Sequence, residues 1–335
     1  MECGRCEDAC PATASNKPLS PKAVVIDLRG LMSRGGDVHT AIRDETLWAC
    51  TMCQACVEEC PVLIGHVDLI SDMRRDLIGE GKLSGPPAKA LQQIGNQSNP
   101  YGRPNSERLA WAEGLDVPTV EVNPSFEYLL WVGCAASFDP RAQKVARATA
   151  ELLKEAKVNF AVLGTKERCT GDPARRIGDE FLYQQLAQAN VETLTRHKAK
   201  KIVTPCPHCY NTLKNEYPQF GGQYQVQHHS QLLAELIGTG RLSNGTSTGE
   251  PVTLHDPCYL ARVNREVDAP RVLIGAGRDA QFHEMPRHGK KLSVAVQAGV
   301  GCGSTSHPRS ASPGCVRRRH SVPAHARLRR PVRFV

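Results

Sequence analysis

The segment CTMCQACVEECP places Cys50, Cys53, Cys56 and Cys60 in a C-x-x-C-x-x-C-x-x-x-C pattern closed by Pro61. Iron in a cubane cluster needs four soft thiolates. This spacing lets three cysteines of one tight loop hold one [4Fe-4S] cluster while the fourth reaches a second. Zinc, the rival for thiolates, favours paired C-x-x-C units separated by a longer loop. A lone cysteine reads as a small buried hydrophobe, but four at this spacing read as iron ligands.

The opening MECGRCEDACP fits the same template shifted by one place: Cys3, Cys6 and Cys10 match its second, third and fourth positions, and Pro11 matches the terminal proline. The first ligand position falls immediately before Met1, so Met1 is expected to be an internal methionine of a longer chain. In two-cluster ferredoxins the fourth cysteine of each motif serves the other cluster. Two [4Fe-4S] clusters are therefore expected. One is held by Cys10, Cys50, Cys53 and Cys56, and the other by Cys3, Cys6 and Cys60 with one ligand missing. The first should be fully ligated, the second labile or absent.

The elements that must position these thiols differ along the chain. Up to residue 95, AVVIDLRGLM and VDLISDMRRDLIGEG repeat apolar positions every three or four residues, which predicts a small helical domain over 1–95. Residues 96–124 are rich in Asn, Pro, Gly and Ser and read as a linker. From residue 125 short apolar runs alternate with helical patterns: FEYLLWVGC, RAQKVARATAELLKEA, VNFAVLG, FLYQQLAQANVETLTRH and KKIVTPC. That alternation predicts an α/β layer with a mainly parallel sheet over 125–240. After the spacer GTGRLSNGTSTGE, the run PVTLHDPC starts a second, shorter copy over 250–291. The strands end on Cys134, Cys206 and Cys258, and open α/β sheets build their sites at strand ends.

GCAASFDPRA at Cys134, ERCTGDPARR at Cys169 and TPCPHC at Cys206 and Cys209, following the ferredoxin-type motifs, resemble the iron–sulfur subunits of the heterodisulfide reductase and glycolate oxidase family. That family joins a helical two-cluster ferredoxin domain to α/β cysteine-rich repeats, each patterned C, then CC, then C-x-x-C. The resemblance covers residues 1 to about 291. It implies that Cys134, Cys169, Cys206 and Cys209 are ligands of a further iron–sulfur cluster in the first repeat, and that Cys258 opens the second. Thr170 stands where the double cysteine would have its second thiol. A hydroxyl is a poor substitute for a thiolate at iron, so a first repeat without metal is the alternative. His228 and His229 are read as capping or solvating a helix, Asp172, Arg175 and Arg176 as a solvated helix start with its own ion pairs, and His208 as pointing away from the ligands.

The family pattern breaks after MPRHGKK, where a segment like FCCGAGGGRMW is due. Codons for that segment read one base later encode Ser293 to Gly303. The tail from residue 292 to 335 is accordingly expected to be an out-of-frame, disordered segment, with Cys302, Cys315 and its basic residues not evolved features. The second repeat then lacks its double cysteine and its C-x-x-C, and no catalytic residue is assigned.

The bulk numbers agree with an intracellular metalloprotein. Fourteen cysteines in 335 residues sit in tight clusters, which favours metal over disulfides. The net charge of +8 comes from the tail, so nucleic acid is not an expected partner. The first residues lack the charged head and apolar run of a signal peptide, and no stretch reaches the roughly 20 apolar residues of a membrane span. The expected location is the cytoplasm. A membrane anchor subunit, or a missing upstream membrane segment, would place the protein at the inner face of the cell membrane. The resemblance implies an iron–sulfur oxidoreductase or electron-transfer subunit passing electrons between a flavoprotein dehydrogenase, or electron-transfer flavoprotein, and a quinone, disulfide or other acceptor. The alternatives are a pure electron carrier without a substrate site and a zinc-stabilised interaction protein.

Overall fold

The computed structural model describes residues 2–245, 249, 251–277, 281–292 and 333–334. The N-terminal part is helical. Its longer helices run Pro21–Arg34, His66–Gly79 and Gly85–Gln97. The first starts on Ser20, whose hydroxyl accepts the Ala23 N–H at 3.1 Å, has Pro at its first position, and stops at Gly35 with φ +71°. A cap of this kind is worth about 1 kcal/mol. The apolar faces meet on Leu19, Val24, Leu47, Val67, Ile70 and Leu77, and the same cluster includes Cys6, Cys10, Cys50 and Cys56. The core of this part is thus built around its thiols.

The second part contains a four-stranded, all-parallel sheet of β1 (Tyr128–Leu130), β2 (Phe160–Ala161), β3 (Lys201–Thr204) and β4 (Gln225–His228), in the order β2-β1-β3-β4. Helices cover both faces, which is why its strands read as continuous apolar runs rather than alternating ones. Leu129 and Ile202 pack with Tyr183, Ala187 and Leu194 of the helix Glu180–Arg196 on one side. On the other, Leu130 and Val203 pack with Ala146, Ala150 and Leu153 of the helix Pro140–Glu155 and with Leu232 and Leu236 of the helix His229–Gly238. The chain leaves β1 for β2 on one side and returns to β3 on the other. The sheet therefore has a switch point at the carboxyl ends of β1 and β3, where open α/β sheets open a crevice.

A second small parallel sheet holds β5 (Pro251–Thr253), β6 (Gln281–Phe282) and β7 (Arg333–Phe334) in the order β6-β5-β7, with the helix Asp268–Gly275 between β5 and β6. The mixed α and α/β class expected from the sequence agrees with this architecture. Residues 293–332, with Cys302 and Cys315, lie outside the described residues, and so does the expected disordered tail except for Leu292 and β7.

The stretch 96–124 is packed structure. It carries a 3-10 helix over Asn105–Ala112, and Arg108 and Trp111 are only 1% and 2% exposed. The Asn and Gly residues that suggested a linker make a tight turn. The Asn99 side chain donates to Gln97 O and Arg103 O and accepts from the Tyr101 and Arg103 amides.

Candidate metal centres

The two N-terminal cysteine loops share one backbone form. In each, the residue after a cysteine adopts the left-handed conformation (Gly4 at φ +79° after Cys3, Gln54 at φ +62° after Cys53) and a single helical turn follows, Arg5–Asp8 or Ala55–Glu58. The turns place Cys6 and Cys56 at equivalent points. Gly pays no steric penalty for this conformation, and Gln54 adopts it where glycine is absent.

Cys10, Cys50, Cys53 and Cys56 line one small pocket, walled by Pro11, Leu19, Pro21, Val67 and Ile70. Burial pushes the Cys50 thiol up to about 11 against the pull of Arg74, and burial and the neighbouring thiols raise Cys56 further. Metal binding there must release protons. Arg74 frames the loop: it donates to Leu47 O at 2.7 and 3.2 Å, to Cys50 O at 2.8 Å and, across to the second part, to Arg176 O at 2.8 Å. Cys6 has its pKa raised by burial and by nearby Cys60 and Cys3, which groups these three thiols, with Cys3 exposed. Among the described residues no three His, Cys, Asp or Glu side chains are arranged around a single metal ion. Four soft thiols lining one largely apolar pocket suit a multi-atom iron–sulfur cluster.

At the switch point Cys134, Cys169, Cys206 and Cys209 line a second small pocket, with Trp131, Gly133, Thr170, Asp172 and His208. Cys134 begins the turn after β1, Cys169 follows β2, and Cys206 caps the helix Pro207–Asn211 after β3, its Sγ accepting the Cys209 amide at 3.4 Å. Gly133, at φ +80°, lets the chain pass close to the thiols: a Cβ there would sit 3.4 Å from Cys209 Sγ. Glu167, 2% exposed, accepts the Val132 and Gly133 amides at 2.9 and 2.8 Å and the Arg108 guanidinium at 3.0 Å. Arg108 also donates to Cys134 Sγ at 3.3 Å. The Cys169 thiol and this guanidinium hold the Cys134 pKa down against burial, while Cys169 itself is raised. Thr170 fills the place of a fifth thiol, with Oγ1 3.9 Å from Cys209 Sγ. The donor set fits an iron–sulfur group held by four cysteines.

Three sequence expectations are corrected here. His208 faces the cavity rather than away: its Nδ1 pairs with Asp172 Oδ2 at 2.8 Å and its ring lies 4.1 Å from that of Tyr259. Asp172 keeps the expected ion pair, with Arg176 at 3.0 Å, but is 1% exposed rather than solvated; burial opposes its charge, but His208 and Arg176 outweigh it and hold its pKa far below the usual range. Helix starts look polar in sequence whether the polar groups face water or each other. His228 does cap a helix, as expected, with a Gln231 side chain reciprocating, but it is buried rather than solvated, and His229 is half-buried. Cys258 lies beside Cys53, where burial and the Cys53 charge raise its pKa to about 11, and does not line the cavity at the switch point. The next turn binds the two parts together: Tyr259 Oη donates to Met52 O at 3.3 Å and Arg262 Nη1 to Cys53 O at 2.8 Å.

Sequence reasoning missed Arg108, Glu167 and Arg74. No motif flags an isolated arginine or glutamate, and only their burial marks them.

Comparison with known proteins agrees with both cysteine regions. A 4Fe-4S dicluster domain model matches residues 1–64, and a cysteine-rich domain model matches residues 128–214. The chain is 42% identical over 325 residues to a probable membrane-anchored ferredoxin of Chromohalobacter salexigens, covering 86% of this chain and 48% of the relative. It is 37% identical over 318 residues to the EtfAB:quinone oxidoreductase of Syntrophomonas wolfei, covering 83% of this chain and 44% of the relative. The chain spans about half the length of these relatives. With a subunit of the dihydromethanophenazine:CoB--CoM heterodisulfide reductase of Methanosarcina mazei it shares 30% identity over 310 residues, covering 85% of this chain and 74% of the relative. No solved structure matches the chain. The 30% identity with the heterodisulfide reductase subunit over most of both chains, together with the matches to both cysteine regions, shows that the chain belongs to the heterodisulfide reductase-like family of iron–sulfur oxidoreductases.

Proposed function

We propose that the chain is an iron–sulfur electron-transfer subunit that passes electrons, one at a time, between a flavoprotein and a quinone or disulfide acceptor. The observation that carries this reading is the cavity closed by Cys10, Cys50, Cys53 and Cys56, drawn from two separate loops as the two-cluster ferredoxin template requires. Cys3, Cys6 and Cys60 are proposed ligands of a second [4Fe-4S] cluster in the same helical ferredoxin-type domain. Cys134, Cys169, Cys206 and Cys209 are the proposed ligands of a third iron–sulfur group. When bound, such groups accept and release single electrons without proton chemistry of their own. The protein's part is to hold the thiols, exclude water and set the local charge. Trp131 and Pro100 wall the switch-point cavity, and Ile70, Val67 and Leu19 the N-terminal one.

The relative named EtfAB:quinone oxidoreductase supports an electron-transfer flavoprotein as donor and a quinone as acceptor. The heterodisulfide reductase relative supports a disulfide acceptor. Among the described residues no helix is long and apolar enough to cross a membrane, so a membrane-bound acceptor would be reached through an anchor subunit or an upstream segment. Thr170 favours a second reading, a pure carrier without a substrate site, because no second thiol adjoins Cys169.

Anaerobic reconstitution with iron and sulfide tests the proposal. Expected are brown protein, an EPR signal on dithionite reduction, and re-oxidation of the reduced chain by a water-soluble quinone. Stoichiometric zinc with no iron uptake would overturn it.

A further inference from the structure

We propose that Arg108 sets the electron affinity of the cavity lined by Cys134, Cys169, Cys206 and Cys209. The inference rests on the reading that these thiols hold an iron–sulfur group. Arg108 is 1% exposed and its donors are nearly all matched to protein oxygen. Nε donates to Asn105 Oδ1 at 3.1 Å, Nη1 to Glu167 Oε1 at 3.0 Å and Ser137 Oγ at 3.5 Å, and Nη2 to Ser98 O at 3.3 Å. The remaining contact of Nη2 is Cys134 Sγ, at 3.3 Å.

The charge balance is what makes this arrangement more than a structural clamp. Buried guanidinium groups are commonly matched by a carboxylate that accepts two parallel hydrogen bonds. Glu167 does not do this. Its Oε1 is shared between Arg108 and the Gly133 amide, and its Oε2 is taken by the Val132 amide. Two backbone dipoles thus hold part of the carboxylate charge at the turn that carries Cys134, leaving positive potential directed at the sulfur. In a dry interior such a charge acts with little screening.

Reduction adds one electron, and so one negative charge, to a group held by Cys134. The electron comes from the reduced flavoprotein in the proposed function and from dithionite in the test. Arg108 stabilises the added charge through its N–H···S contact without transferring a proton, because guanidinium stays protonated throughout. Arg108 is therefore a positioning and potential-setting residue that raises the reduction potential. Glu167 restrains it in the opposite direction.

The test is an anaerobic potentiometric titration of the reconstituted full chain followed by EPR, comparing wild type with Arg108→Met, Arg108→Lys and Glu167→Gln. Arg108→Met should lower the midpoint so that, at a fixed potential, the reduced-to-oxidised ratio falls about tenfold, ~59 mV for one electron. Arg108→Lys should shift it less, and Glu167→Gln should raise it. Signals from the N-terminal thiols should keep their midpoints. If Arg108→Met does not fold, Arg108→Lys and Glu167→Gln carry the test through their opposite signs. Wild-type midpoints in every variant, or shifts of one sign for both Arg108 and Glu167 replacements, would overturn the inference while leaving the iron–sulfur reading intact. A wild-type chain whose iron fills only the N-terminal thiols would overturn the reading of this cavity, and the inference with it.

Discussion

Burial keeps the Cys50 and Cys56 thiols protonated until metal displaces the proton. Cys56 sits among Cys10, Cys50 and Cys53, so on the proposed function its replacement removes a ligand that no other thiol lining the pocket can supply. Cys56→Ser should cut the iron content of the reconstituted chain by about four atoms, one cubane, and remove its EPR signal. Cys3→Ser, at an exposed position, should change the same assay much less. Gly133 is the other sensitive residue. At φ +80° and ψ 161°, a region nearly confined to glycine, with Cys209 Sγ 3.4 Å and Cys206 Cβ 3.7 Å from any added Cβ, Gly133→Ala should cost about 1–3 kcal/mol and lower the melting temperature. The cysteines at these sites were legible in the sequence because their spacing is a chemical constraint. Arg108 was not, because what defines it is the direction of one N–H.

At the scale of elements, the strands and long helices followed from periodicity: VNFAVLG contains β2, KKIVTPC contains β3, and the helices Pro140–Glu155 and Glu180–Arg196 lie where the apolar spacing placed them. What could not be read was the packing between the two parts. Arg74, on the helix His66–Gly79, reaches Arg176 O on the helix Asp172–Ile177, and a Cβ on Gly178 at that helix's end would lie 2.8 Å from the Arg74 carbonyl carbon. Two backbones in contact leave no side chain to give way. Gly178→Ala should therefore destabilise the chain more than Gly133→Ala. Arg74→Met should cost about 3 kcal/mol by removing the guanidinium that donates to the Cys50 and Arg176 carbonyls and, beside the Cys50 amide, to the Leu47 carbonyl. Urea unfolding would read both, and faster alkylation of Cys50 should accompany the Arg74 change.

The whole molecule carries a pH dependence that its motifs do not announce. His228 and His229 are held neutral, their pKa values depressed by burial to about 4 and about 3. In the unfolded chain they titrate near 6.5, so below that pH the unfolded state binds protons that the folded state refuses. Their contribution is complete above about pH 6.5 and lost as the pH falls toward 4, at about 1.4 kcal/mol per pH unit for each histidine. Urea midpoints measured from pH 7 to pH 5 should fall, and His229→Gln should make the decline shallower. In the sequence the pair signalled a helix start and nothing about its burial, which depends on the β3–β4 edge and helix that enclose it. The same long-range dependence governs how the chain is made. Tyr259 and Arg262 grip the carbonyls of Met52 and Cys53 across 207 and 209 residues of chain. At translation rates of 5–20 residues per second the cysteine loop waits roughly 10–40 s for that cover. During synthesis its thiols are open to oxygen and to the cellular iron-delivery machinery alike, so loading with metal competes with oxidative damage before the molecule closes.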